Sequence, residues 1–206
     1  MSFFKTRKHY FQPVREDGKV ETIPFLKAAA DCTIPFLDIL GPKAFYVVKT
    51  DINGNVTKLT KKYEMDPVNN STLQGLVEGE VANNSALKGG SGTETLIWLK
   101  RALQFIRGMF VNLLNGVNDG ENLIPCAAKS YESYLKPYHG WMVQKVFGLV
   151  TKAMPYRRDL LKAMGNGQDE ETVINDMKEF LVLFGQNLDA VVEMYQSKNI
   201  DKEFKV

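Results

Sequence analysis

AFYVVKTDINGNVTKLTKKY, residues 44–63, supports two opposite readings. Asn53-Gly54 flanked by β-branched residues is the strongest short-range hairpin signal. Yet Phe45, Val48, Ile52, Val56, Leu59 and Tyr63 step by three and four, and on a helix they form one apolar stripe. Gly54 would cost that helix about 1 kcal/mol relative to Ala. Local sequence leaves the two evenly matched. The helix reading has a chemical consequence. Asp51, Asn55, Lys58 and Lys62 each precede a stripe residue by one position, about 100° around the axis. An acid, an amide and ammonium groups then rim an apolar wall and offer two-way hydrogen bonding. The plain alternative is a solvated polar face.

On either side of this stretch the chain reads as helical blocks punctuated by Gly and Pro. One starts near Thr22, with Pro24 suited to a first turn, and weakens at Pro35; the link LGPKA follows. Asn70 or Ser71 is expected to cap a block reaching about Asn83. After the connector ALKGGSG, Ser91 with Glu94 fits a capping box. Leu96, Leu99, Leu103, Ile106, Phe110 and Leu113 then mark a strongly amphipathic helix. Pro125 opens the next block, Pro137 and Gly140 interrupt it, and Pro155 ends it. The acidic run at 169–171 suits a helix N-terminus and starts a block to about Ser197.

Composition narrows the classes. The 206 residues are 44% hydrophobic and 24% charged, with a formal net charge of +2. A chain of this length buries about 70% of its unfolded surface, enough for a sizeable core. The charge is too balanced for a protein whose main work is neutralising nucleic-acid phosphates, so no nucleic-acid partner is expected. The longest run without Asp, Glu, Lys or Arg is about 11 residues, short of the ~20 of a spanning helix. No apolar signal-peptide core follows the start. Two cysteines, Cys32 and Cys126, read as buried cytosolic thiols; with only two histidines, no protein-built metal site is expected. The basic, aromatic opening MSFFKTRKHYF reads as a frayed tail, so residues 1–18 are expected to be a flexible arm and 19–206 one domain.

DINGNVTK at 51–58, LIWLKRALQFI at 96–106 and YHGWMVQKVF at 138–147 together resemble the signature blocks of the glycolipid transfer protein family. EMY at 193–195 and KEFKV at 202–206 fit too, so the resemblance runs from about Val20 to Val206. It implies an all-α fold, a two-layer helical sandwich enclosing a lipid slot, and resolves 44–63 as helix. It also implies a soluble, cytoplasmic, non-enzymatic carrier, transiently peripheral at membranes, monomeric, without a cofactor, with a glycosphingolipid as ligand.

The resemblance places the head-group and amide contacts on Asp51, Asn55, Lys58, Trp98 and His139. Trp98 is the platform for the sugar ring; Asp51 and His139 serve the ceramide N–H and C=O. Phe204 stands where animal members have a tyrosine, so the ring stays and the hydroxyl contact is weakened. Trp141, with Lys145 one turn on, matches a membrane-docking aromatic. The chemistry agrees: a sugar's apolar face suits indole, and its hydroxyls suit a carboxylate, an amide and an ammonium group. The lipid chains need a dry slot, for which the candidates are Phe36, Leu37, Phe45, Val48, Ile52, Phe105, Met109, Leu135, Phe147, Phe180 and Phe184. Lys100, Arg101 and Arg107 read as a solvated face. Lys136 and Tyr138 are candidates to join the docking patch.

Three further readings stay open. A ceramide-1-phosphate carrier of the same family would use Lys58 and Lys62. A glycolipid sensor or adaptor would signal to a partner; PFLDILG at 35–41 resembles the two-phenylalanine-acid motif that docks contact-site proteins, with Leu37 in place of the second phenylalanine. A lipid hydrolase pairing Asp51 with His139 would need a nucleophile or activated water, and no G-x-S-x-G elbow, P-loop or metal cluster is present in the sequence.

Overall fold

In the computed structural model, which describes residues 1–201, the ambiguous stretch is helical. The helix spans Tyr46–Met65 and buries Ile52, Asn55 and Leu59. A Cβ added at Gly54 would meet nothing within 4 Å, so no contact demands the glycine, and its hairpin signal is overridden by burial of the apolar stripe.

The described residues hold eight α-helices. They are α1 (Thr22–Leu40), α2 (Tyr46–Met65), α3 (Leu73–Ala82), α4 (Gly92–Leu114), α5 (Ile124–Tyr134), α6 (Trp141–Val150), α7 (Arg157–Gly165) and α8 (Glu170–Ser197). Short 3-10 turns lie at Phe3–Thr6, Lys136–Tyr138 and Thr151–Ala153. The architecture is the expected two-layer all-α arrangement. α4 is its centre: it packs against α1, α2, α3, α5 and α8, while α1 also packs on α2 and α7. Sixteen of its residues are buried, among them every member of the apolar stripe read from sequence.

The α4–α5 seam depends on a close approach. A Cβ on Gly108 would lie 2.3 Å from Ser130 Oγ, and that hydroxyl donates to the Phe105 carbonyl at 2.6 Å. α4 starts as expected: Ser91 Oγ accepts from the Glu94 N–H at 3.0 Å. The Glu94 carboxylate reaches back to the Gly90 N–H at 2.7 Å, one residue beyond the usual reciprocal partner. α8 is capped by Asp169, which accepts from the Thr172 N–H at 2.7 Å.

Four expectations change. The cap of α3 is Thr72, not Asn70 or Ser71; the carbonyls of those two accept instead from Thr22. Pro35 does not weaken α1, which runs on to Leu40. Proline removes the N–H that would serve the Asp31 carbonyl, and Arg7 Nη1 donates to that carbonyl at 3.1 Å in its place. Residues 1–18, expected to be a flexible arm, pack on the domain with Phe3, Phe4 and Phe11 buried. The aromatics of the opening, not its charges, decide its placement. Lastly, Lys100 and Arg101 are buried rather than solvated, both near 1% exposure. They follow the stripe residue Leu99 on the central helix, and Asp201 bonds both.

Cys32 and Cys126 are buried free thiols, as expected, and burial raises the pKa of both. No helix among the described residues is long and apolar enough to cross a membrane.

Candidate functional site

On α2, Asp51 stays exposed while Asn55, one turn on, is buried at 5%. Asn55 Nδ2 donates to Asp51 Oδ2 at 3.1 Å, which fixes the amide with its carbonyl oxygen left to accept. Desolvation raises the Asp51 pKa, against the opposing effects of Lys58 and the Asn55 bond. Burial disfavours the charged form there, and a hydroxyl or amide N–H donating to the carboxylate would offset that. Lys58 is exposed on the same face and close enough to act on Asp51. Lys62 is drawn away: its ammonium lies 3.3 Å from Glu80 on α3.

Trp98 projects from the second turn of α4 and is half-buried, so one part of the indole remains open. The first turn of α4 is held by Glu80. Its carboxylate accepts from the N–H groups of Gly92 and Thr93 and from Thr93 Oγ1, each at 2.8 Å. A carboxylate belongs at a helix N-terminus, where N–H groups lack partners. Sequence reasoning missed Glu80 because it lies on a different helix from the one it caps.

Arg101, also missed, ties the site together. Its guanidinium stacks 3.4 Å from the Tyr138 ring centroid and 5.1 Å from that of Trp98. Tyr138, a candidate for the docking patch, stacks against this cation. His139 follows, its Nδ1 3.0 Å from the Tyr131 hydroxyl. Burial, then the charge of Arg101, lowers the His139 pKa, so the ring is neutral near pH 7. Burial raises the Tyr131 pKa, so its hydroxyl keeps its proton and can donate to Nδ1. Nε2 then carries the hydrogen and can donate to a carbonyl. Tyr131 itself stacks on Phe147 at 3.6 Å between centroids. Residues 131 and 139 share no motif, which is why the pair was not legible.

The expected slot residues divide. Phe36, Leu37, Phe45, Ile52, Phe105, Met109 and Phe184 are buried; Val48, Leu135, Phe147 and Phe180 pack half-buried against the core. Phe36 and Phe110 are in ring contact at 4.6 Å, and Phe105 meets Phe147 edge-on at 5.7 Å. A cleft of about 10 Å³ lies among Phe36, Met109, Phe110 and Cys126. Ligand sites commonly hold about 300–1,000 Å³. Lipid chains would have to part these walls. Phe180 and Phe184 instead face the N-terminal segment, Phe4 at 5.2 Å and Phe11 at 4.9 Å respectively. Phe204 lies outside the described residues.

A family model described as glycolipid transfer protein matches residues 20–166. This chain belongs to the glycolipid transfer protein family. The zebrafish (Danio rerio) glycolipid transfer protein is 40% identical over 205 residues, covering 97% of this chain and 98% of that protein. A solved GLTP-fold structure of FAPP2, described as selecting simple glycosphingolipids, superposes with a TM-score of 0.90 at 30% identity over the whole of both chains. The fungal glycolipid transfer protein HET-C2 does so at 0.84 and 30%, covering 97% and 99%.

The stretch 138–147 carries most of an apolar surface that continues to Leu149. α6 buries none of its residues; Trp141, Met142, Val146 and Leu149 are all exposed, Trp141 at 66%. Lys145 lies 4.8 Å from the Trp141 ring centroid. Lys136 pairs with Glu132 at 3.3 Å. The contact-site-like stretch 35–41 forms the last turns of α1 and its C-cap Gly41, with Phe36, Leu37 and Leu40 buried. Among the described residues no group of three or more His, Cys, Asp or Glu could hold a metal ion.

Proposed function

We propose that this protein binds a glycosphingolipid and carries it between membranes without chemical change. One observation supports this most: the partly desolvated Asp51 carboxylate bonded to Asn55, an acceptor, and the His139 ring, whose Nδ1 is engaged by Tyr131 and whose Nε2 is left to bond a ligand, accompany the half-open indole of Trp98. A ceramide amide offers one donor and one acceptor, and a sugar ring offers an apolar face ringed by hydroxyls. Asp51, Asn55 and Lys58 read the hydroxyls, Asp51 takes the amide N–H, His139 donates to the amide carbonyl, and Trp98 stacks on the ring. The chains enter between Phe36, Phe45, Ile52, Phe105 and Met109. Each methylene removed from water contributes about 0.8 kcal/mol, so lipid leaves a membrane only for a host equally dry.

Docking is assigned to α6, where Trp141 and Lys145 combine an interfacial indole with a cation for anionic lipid. The protein acts from the cytoplasm as a monomer that visits membranes briefly. The phosphate-carrier reading loses support because Lys62 is engaged by Glu80, and Lys100 and Arg101 by Asp201. The test is vesicle-to-vesicle transfer with galactosyl-, glucosyl- and lactosylceramide against ceramide 1-phosphate, with the lipids recovered and analysed. Transfer of intact glycosylceramide in preference to the phosphate is expected. Preference for the phosphate, or any turnover product, contradicts the reading.

A further inference from the structure

The N-terminal segment is bound to the domain by more than apolar burial. Asp31 Oδ2 accepts from the N–H groups of Lys8 and His9 at 2.5 and 2.8 Å, and Ser2 Oγ donates to Asp176 at 2.6 Å. Arg7 donates to the Phe3 carbonyl at 2.9 Å as well as to that of Asp31, and lies over the Phe3 ring at 4.2 Å. These bonds seat two rings against two phenylalanines of the core. Phe4 meets Phe110 edge-on at 5.7 Å, and Phe3 meets Phe36 at 6.5 Å. Phe36 and Phe110 both line the small cleft, so the rings that wall the cleft are also the rings that Phe3 and Phe4 touch. Phe4 also lines an open depression of about 200 Å³ with Phe11 and Phe180.

We infer that Phe4, held by the Arg7–Asp31 clamp, is the end stop of the lipid slot and sets the longest chain the protein accepts. The inference rests on the ceramide-carrier reading above. A chain advancing between Phe36 and Phe110 reaches Phe4 next. With that ring in place its terminal methylenes must fold back, and with a smaller side chain they can run into the depression. Interiors are close-packed, so one ring's volume is felt by whatever lies against it.

Glucosylceramides with acyl chains from C8 to C24 are transferred by wild type, Phe4→Ala, Phe4→Leu and Phe11→Leu. Phe11 stacks on Phe184 and has no ring contact with Phe36 or Phe110, so its variant loosens the same segment without moving the stop. The C24-to-C16 ratio should rise roughly ten-fold in Phe4→Ala, as about two more buried methylenes would give. It should rise less in Phe4→Leu and stay put in Phe11→Leu. If Phe4→Ala fails to fold, Phe4→Leu carries the decision. An unchanged profile in the Phe4 variants, or the same shift in Phe11→Leu, overturns the end stop while leaving the carrier reading intact. Failure of wild type with every chain length strikes the carrier reading instead.

Discussion

His139 reaches its role through Tyr131. The hydroxyl lies 3.0 Å from Nδ1, and by donating there it favours the tautomer with the hydrogen on Nε2; burial with the charge of Arg101 lowers the ring's pKa. Tyr131→Phe should leave the fold intact, costing about 1 kcal/mol for the lost bond, and lower glycosylceramide affinity because Nε2–H is no longer enforced. Titration calorimetry with a short-chain glycosylceramide, alongside nitrogen NMR of the imidazole, checks both. Unchanged affinity with a changed tautomer would remove His139 from the amide contact. Tyr131, Arg101 and Glu80 were illegible in the sequence for a common reason. Each acts across elements, by a hydroxyl, a stacked cation or a cap, and no periodicity connects such partners. Asp51, Asn55 and Lys58 were legible because they share one helix face.

At the scale of elements, α4 positions the indole and Glu80 positions the first turn of α4. Burial pushes the Glu80 pKa up, but the bonds from Thr93, Gly92 and Lys62 outweigh it, and the net shift is downward. A depressed carboxylate contributes stability that is present above its unfolded pKa and lost as pH falls through its folded one. Glu80→Gln should therefore cost about 1 kcal/mol at pH 7, the usual worth of a carboxylate at a helix N-terminus, and progressively less in acid. Urea melts of both proteins from pH 7 to pH 3 read this; a gap that does not narrow excludes the charge as its source. Most helices were visible from their stripes and caps. Residues 44–63 were not, because a turn dipeptide and an amphipathic stripe coincide there, and burial of Ile52, Asn55 and Leu59 decides between them. The course of α1 past Pro35 depends on Arg7, a residue from another segment, so a local rule for proline fails there.

In the whole molecule, the proposed head-group residues and the proposed docking surface on α6 would serve opposite needs, holding a lipid and letting go of a membrane. Trp141→Ala should reduce partitioning onto anionic vesicles on the order of ten-fold, as loss of an interfacial ring implies, with short-chain ligand affinity unchanged. Lost ligand affinity with unchanged partitioning would place Trp141 in the pocket. The basic opening misled because its lysines and arginine suggest solvent while its phenylalanines pack; burial of three rings outweighs the charges, of which Lys5 pairs with Glu179 and Arg7 donates to the Asp31 carbonyl. The central claim is that the Asp51 carboxylate reads sugar and amide together. The direct measurement is the transfer rate of glucosylceramide by Asp51→Val, with far-ultraviolet circular dichroism on the same sample. Transfer is expected to be nearly abolished while the helical spectrum stays that of wild type, because two ligand donors lose their acceptor at about 1–3 kcal/mol each. Wild-type transfer with the same intact spectrum would contradict it.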